Sequence, residues 1–204
     1  MSTISDFWNW FKENNHSYLF IDEVDEGIKE DLLEKLLDQL HLYCDHLYFE
    51  LGGTPGEEQE LIITAEGDID YFVKVESLVS EAPIIKNWTF IAFIPRREAD
   101  NTLNFEDVEL KPAEMWFMPL NSAAKPNDIG IRVCSPNYEL IKDSKWLRPA
   151  IYKCLDILLG EKTFALDIDF IDTGEVPDQP EEQGMIQLAD LPAFVIWKKK
   201  QLNR

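Results

Sequence analysis

The chain has 204 residues, 45% of them hydrophobic and 12% aromatic, which is enough to bury a core without disulfides or a structural metal. Its 39 acidic and 19 basic residues give a formal net charge of -20, which speaks against direct binding to nucleic acid or to an anionic membrane, because phosphate groups are bound by basic surfaces. No apolar run reaches the roughly 18 residues of a membrane span. The N-terminal segment also lacks the pattern of a signal peptide.

The three cysteines, Cys44, Cys134 and Cys154, are odd in number and have no CxxC spacing. This pattern favours neither a disulfide framework nor a zinc knuckle. We therefore expect three reduced thiols in a cytoplasmic protein. The sequence assigns no cofactor and no metal-ligating residues.

Residues 1–44 are predicted to be helical. A short helix is expected around the aromatic sequence FWNWF at residues 7–11, and these rings are expected to pack in the core. A longer amphipathic helix is predicted from Ile28 to Tyr43, where leucines recur every three to four residues and acids occupy the other face. Asp25 is its predicted N-cap.

Acidic residues are concentrated in two segments. Residues 22–38 contain eight acids against Lys29 and Lys35, and residues 163–197 contain eight acids and no lysine or arginine. Such a surface is either simply solvated or complementary to a basic protein partner.

The middle of the chain predicts a hairpin followed by a helix and a further strand. The hairpin pairs the apolar-alternating runs His46–Leu51 and Glu60–Glu66 across the turn-rich GGTPGEE. Asp68 is expected to cap a helix that continues to Ala82, and Trp88–Ile94 is expected to form the next strand.

The C-terminal part is predicted from similar signals. Residues 96–113 look polar and irregular, and strands are expected near Glu114–Leu120 and Ile129–Cys134. A helix that Ser144 caps and Gly160 ends is followed by a predicted strand at Phe164–Ile171. The simplest architecture is one α+β domain over residues 1–204, with a helical part at 1–44 and a sheet-containing core at 45–204. Its sheet is expected to be mostly antiparallel, with helices packed on one face.

Side-chain alternation divides this sheet into an apolar and a polar face. Only pairings such as His46 opposite Glu66 place the apolar residues of both hairpin strands on one face, because a slip of one residue exchanges the faces. The helix-free face would then hold the candidate binding residues, provided that the strands share one sheet. These are His46, Tyr48, Glu50, Glu66, Arg132, Asp167 and Asp169.

Three interpretations of this polar face are open. It is a solvated sheet surface, a surface for a ligand or partner, or a catalytic or metal site. A histidine beside carboxylates supports general acid/base chemistry or binding of a divalent ion. No catalytic residue is assigned.

The stretch LIITAEGDIDYFVKVESLVSEAPIIKNWTFIAFIPRR, residues 61–97, resembles a group of uncharacterised conserved bacterial proteins. Their core similarly has a strand ending in AEG, a helix ending in AP, then Trp and an AF-P strand. The resemblance implies a bacterial cytoplasmic origin and a strand–helix–strand unit, and it carries no activity.

Two functions are therefore expected as alternatives. The first is a non-enzymatic protein-interaction or regulatory module whose acidic surface binds a basic protein. The second is a small-molecule or metal-dependent enzyme that uses the polar sheet face. The sequence specifies no oligomeric state.

Overall fold

The computed structural model describes residues 3–53, 58–98 and 102–202. The chain forms two compact units, unit 1 at Met1–Ile94 and unit 2 at Pro95–Arg204. The sequence predicts a single domain with one sheet, whereas the described strands belong to three separate sheets. The α+β class is confirmed, and the described strand pairs are mostly antiparallel.

Seven α-helices and nine β-strands lie in the described residues. Their bounds in unit 1 are α1 Ile4–Asn14, α2 Glu26–Tyr43, β1 Tyr48–Gly53, β2 Gln59–Thr64, α3 Phe72–Ser80 and β3 Trp88–Ala92. Their bounds in unit 2 are β4 Leu103–Phe105, β5 Val108–Leu110, β6 Trp116–Leu120, β7 Gly130–Ser135, α4 Tyr138–Ile141, α5 Leu147–Leu159, α6 Glu161–Asp167, β8 Phe170–Glu175, β9 Ile186–Gln187 and α7 Leu191–Leu202.

Unit 1 begins with the two predicted helices. Thr3 and Asp6 form a capping box at the start of α1, and the Asp25 carboxylate accepts a hydrogen bond from the Gly27 N–H at the start of α2. Between them the Tyr18 hydroxyl donates to the Leu32 carbonyl oxygen over 3.1 Å. Burial of this ring raises the pKa of Tyr18 to about 12.

The sheet of unit 1 has the strand order β1-β2-β3. β1 and β2 form the predicted antiparallel hairpin, whose loop residues 54–57 lie outside the described residues. β2 and β3 are parallel and are connected through a 3₁₀ turn at Ile69–Tyr71 and α3, which confirms the predicted strand–helix–strand unit. The Asp68 carboxylate accepts a hydrogen bond from the Asp70 N–H, so Asp68 caps the 3₁₀ turn that leads into α3, as predicted.

Aromatic rings form much of the core of unit 1. The Trp8 ring lies 4.6 Å from Phe90, and the Phe11 ring lies 5.1 Å from Trp88, both between centroids. The indole N–H of Trp8 also donates to the Leu78 carbonyl oxygen of α3 over 2.8 Å. The predicted core position of the FWNWF rings is therefore confirmed for Phe7, Trp8 and Phe11.

Unit 2 contains a four-stranded sheet of order β8-β7-β6-β9 and a separate β4–β5 hairpin. β6 pairs antiparallel with β7 and β9, and β7 pairs in parallel with β8. Aliphatic residues dominate its core, which includes Ile131 and Val133 of β7, Leu155 of α5 and Val195 of α7.

Two predictions for unit 2 are wrong. The predicted strand Phe164–Ile171 is instead α6 followed by the start of β8. The Phe164 N–H donates to the Gly160 carbonyl oxygen and the Ile168 N–H donates to the Phe164 carbonyl oxygen, which is the hydrogen-bond pattern of a helix. Within the described part of the irregular segment 96–113, the chain forms the β4–β5 hairpin.

Candidate functional site

The polar candidates of unit 1 lie around the hairpin. The predicted register is confirmed, since Tyr48 is opposite Thr64 and Glu50 is opposite Ile62. The expected open face is absent from the centre of β2, however, because Ile62 is fully buried and Thr64 is only 2% exposed. The hairpin therefore presents few polar groups for chemistry on this face.

His46 and Glu66 lie in turns just outside β1 and β2. The His46 ring stacks on the Tyr71 ring with centroids 4.0 Å apart and an interplanar angle of 8°. Glu66 has a positive φ of 51°, is exposed, and its backbone N–H donates to the Thr64 hydroxyl over 2.8 Å. Glu66 thus belongs to the turn that leads into α3.

Tyr48 and Glu50 lie on β1 itself. The Tyr48 ring contacts His41 edge-on at 5.8 Å between centroids, and Glu50 is half-buried. The contact between Tyr48 and His41 joins β1 to α2, which carries His41.

The candidates of unit 2 have structural partners. The Arg132 Nε lies 2.7 Å from the Asp172 carboxylate of β8. Asp167, whose side chain is 9% exposed, pairs with Lys199 of α7 at 2.8 Å. The Asp169 carboxylate accepts from the Ile129 N–H at 2.7 Å.

The seven candidates do not form one sheet face. His46, Tyr48, Glu50 and Glu66 belong to unit 1, whereas Arg132, Asp167 and Asp169 belong to unit 2. Within the ranges that the structure describes, no group of three or more His, Cys, Asp or Glu side chains could hold a metal ion.

Two of the thiols are poor nucleophiles. Burial raises the pKa of the Cys134 thiol to about 11 and that of the Cys154 thiol to about 12, so both stay protonated at neutral pH. All three cysteines are free.

Acidic charge is concentrated in unit 1. Unit 1 has 20 acidic and 5 basic residues, a net charge of -15, whereas unit 2 has 19 acidic and 14 basic residues, a net charge of -5. Several acids of unit 2 have a lysine or arginine beside them, including those paired with Lys111, Lys125, Arg132, Lys142 and Lys199.

The acids of α2 form a continuous exposed surface, which we call the acidic stripe. It consists of Glu26, Glu30, Asp31, Glu34 and Asp38. Four of its members are spaced at intervals of four residues, so they lie one above another along the helix. Among the described residues, Glu30, Asp31, Glu34 and Asp38 have no ion-pair partner.

A cleft separates α2 from β1, and we call it the α2–β1 cleft. Its apolar wall consists of Ile21, Leu33, Phe49 and Leu51, and its volume is about 410 Å³. Asp22, Lys29, Gly52, Gly53 and Gln59 complete the lining. The Lys29 Nζ lies 2.7 Å from the Asp22 carboxylate, and this hydrogen bond and charge raise the pKa of Lys29.

Gly53, which lines the α2–β1 cleft, has a backbone conformation that only glycine adopts easily. Its φ is +116°, and an added Cβ would lie 2.8 Å from the Glu58 carbonyl oxygen. The alternation in the sequence predicted that Phe49 and Leu51 share the apolar face of β1. It did not predict the cleft, because the position of α2 beside β1 depends on tertiary packing.

Comparison with protein-family models, curated proteins and solved structures finds no match for this chain. Across the described residues, no helix combines the length and apolar character needed to cross a membrane.

Proposed function

We propose that this chain is a non-enzymatic interaction or regulatory protein of the bacterial cytoplasm, and that unit 1 binds a basic protein partner through the acidic stripe of α2. The observation that carries the proposal is the run of exposed carboxylates at Glu26, Glu30, Glu34 and Asp38. Three free cysteines, two of them with suppressed ionisation, are in keeping with a reducing compartment.

The spacing of the acidic stripe has an energetic cost that binding would relieve. Like charges four residues apart destabilise a helix by roughly 0.2–0.5 kcal/mol per pair at low salt. A lysine- or arginine-rich surface would turn this repulsion into attraction and would also speed association.

The test compares two variants that remove the same amount of charge. Glu30→Gln/Glu34→Gln/Asp38→Asn neutralises the acidic stripe, and Asp178→Asn/Glu181→Gln/Glu182→Gln neutralises three exposed acids of unit 2. Each full-length variant is immobilised, and proteins captured from a lysate of the source organism are identified at about 50 mM and about 500 mM salt, which changes the screening length severalfold.

The expected result is a basic protein that the wild type and the unit 2 variant retain at low salt. High salt and the α2 variant should both release it. Retention of the same proteins by all three baits, or of no basic protein by any of them, would contradict the proposal.

A further inference from the structure

The two units differ in the number of strands that pair with β1 and with β6, the equivalent strands of their sheets. β1 and β6 are equivalent in connectivity, because each begins an antiparallel hairpin whose second strand pairs in parallel with the strand that follows a helical connection. β6 has a second antiparallel partner, β9, in which Ile186 is opposite Phe117. β1 has no second strand partner among the described residues.

One edge of β1 is therefore paired with no described strand. A strand edge presents unpaired N–H and C=O groups and is a template for the addition of another strand. β9 shows how short such an addition can be, since only Ile186 and Gln187 pair with β6. A partner segment of similar extent would complete unit 1 in the same way.

The α2–β1 cleft supplies apolar contacts beside this edge. Phe49 and Leu51 are alternate residues of β1, so their side chains share one face, and both line the cleft opposite Leu33. Ile21, another apolar lining residue, is only 7% exposed. The cleft volume of about 410 Å³ accommodates one or two aliphatic side chains of an added strand.

The acidic stripe borders the same cleft. At 100° per residue, Glu26 and Glu30 lie about 20° and about 60° around the helix from the cleft-lining Leu33. Glu26 is also close enough to Lys29, another cleft residue, to raise its pKa together with Asp22. An extended segment on β1 would therefore have carboxylates within reach of its long basic side chains.

Building on the proposed function, we infer that β1 and the α2–β1 cleft bind an extended basic segment of the partner as an added antiparallel strand. Alternate apolar side chains of that segment enter the cleft against Phe49 and Leu51. Lysine or arginine side chains reach Glu26 and Glu30. A second copy of this chain is a poor occupant, because unit 1 carries a net charge of -15.

The experiment measures binding of two defined peptides to the full chain by fluorescence anisotropy. The first is an eight-residue peptide that alternates lysine with valine. The control peptide replaces its two central valines with proline, which keeps the charge and prevents strand pairing. We expect the alternating peptide to bind at least about tenfold more tightly.

Two leucines of α2 provide matched protein variants. Leu33→Gln changes the cleft, whereas Leu42→Gln changes a leucine that is 55% exposed on the same helix. Leu33→Gln should remove the difference between the two peptides, and Leu42→Gln should keep it. Amide hydrogen exchange of the wild type gives a second measurement, in which the alternating peptide should slow exchange within residues 48–53.

The outcomes separate this inference from the proposed function. Equal binding of both peptides, lost on neutralising the acidic stripe, would overturn the strand addition and leave charge recognition intact. Absence of binding by either peptide, or self-association of the chain through β1, would also overturn the strand addition. Failure of the lysate test would then count separately against the proposed function.

Discussion

Units 1 and 2 share the order of their central strands but differ in core, charge and edge. Both contain an antiparallel hairpin followed by a parallel strand, as in β1-β2-β3 and β6-β7-β8. Unit 1 is rich in aromatic contacts and carries a net charge of -15, whereas unit 2 has an aliphatic core and a net charge of -5. Similar connectivity therefore supports two different surfaces.

From this difference we propose different roles for the two units. Unit 2 closes the edge of β6 with β9 and pairs many of its charges internally. Unit 1 leaves β1 with one strand partner among the described residues, and within the same ranges Glu30, Asp31, Glu34 and Asp38 of its acidic stripe have no ion-pair partner. In our account unit 1 is the unit that binds.

The largest expected effect comes from comparing two ion pairs whose carboxylates differ in burial, Lys199–Asp167 in unit 2 and Lys29–Asp22 in unit 1. Lys199→Ala leaves Asp167 nearly buried without its cation, so it should lower the free energy of unfolding by about 2–4 kcal/mol. Lys29→Ala leaves Asp22, which is 87% exposed, and should cost less than about 1 kcal/mol. Urea denaturation measures both values, and equal costs would show that the ion pair of unit 2 is not a buried one in solution.

The loss of stability at alkaline pH should depend on two buried thiols in unit 2 and on one buried tyrosine hydroxyl in unit 1. The pKa of Cys134 and of Cys154 rises from 9.0 to about 11 and about 12, and that of Tyr18 rises from 10.0 to about 12. The unfolded chain releases these protons first, so the stability is complete below pH 9 and is lost as pH rises towards 12.

Denaturant midpoints across this pH range check that expectation. Cys134→Ala/Cys154→Ala should reduce the loss of stability that begins near pH 9, and Tyr18→Phe should reduce only the loss above pH 10. A pH profile for both variants that matches the wild type would contradict the burial of these groups.

A smaller effect tests the aromatic core of unit 1. Trp8 donates its indole N–H to the Leu78 carbonyl oxygen, whereas the buried indole N–H of Trp88 has no acceptor among the described residues. Trp8→Phe should therefore cost about 1–2 kcal/mol more than Trp88→Phe, because it leaves a buried carbonyl oxygen unsatisfied. Thermal or urea unfolding gives the comparison, and a larger cost for Trp88→Phe would reverse this account of the core.

The smallest expected effect is a gain in the free energy of unfolding rather than a loss. Neutralising Glu30, Glu34 and Asp38 removes repulsion at four-residue spacing, so it should stabilise the protein by up to about 1 kcal/mol at low salt and by less at high salt. The same variant should lose the basic partner. A destabilised variant would mean that these carboxylates support the fold and would weaken the case for a binding surface.

The sequence was informative wherever local patterns agreed with packing. Leucine spacing and Asp25 predicted α2, and alternation over residues 46–66 predicted the register in which Phe49 is opposite Ile63. Here a shift of one residue would have placed Leu61 and Ile63 on the wrong side of the sheet.

Residues 161–171 show where alternation misleads. FALDIDF suits a strand, yet Phe164 and Ile168 are four residues apart and both pack against the core of unit 2. The glycine at 160, with a φ of 76°, turns the chain so that a new helix begins directly after α5. Tertiary packing therefore selected the helical period over the strand period.

The candidate site was predictable only in part. Alternation correctly directed Arg132 outward, but its partner Asp172 could not be found while β8 was placed too early in the sequence. Charge counting singled out residues 22–38, whereas the α2–β1 cleft depends on how α2 packs beside β1, which no local sequence pattern specifies.

The most direct test of the central claim is to map a basic probe onto the whole chain by amide chemical-shift perturbation. An octalysine peptide at low salt should shift amides of α2 and β1 and leave residues 95–204 unchanged, because unit 1 holds most of the net charge and the acidic stripe. Perturbations that cluster in unit 2, or that spread evenly over both units, would contradict the assignment of binding to unit 1.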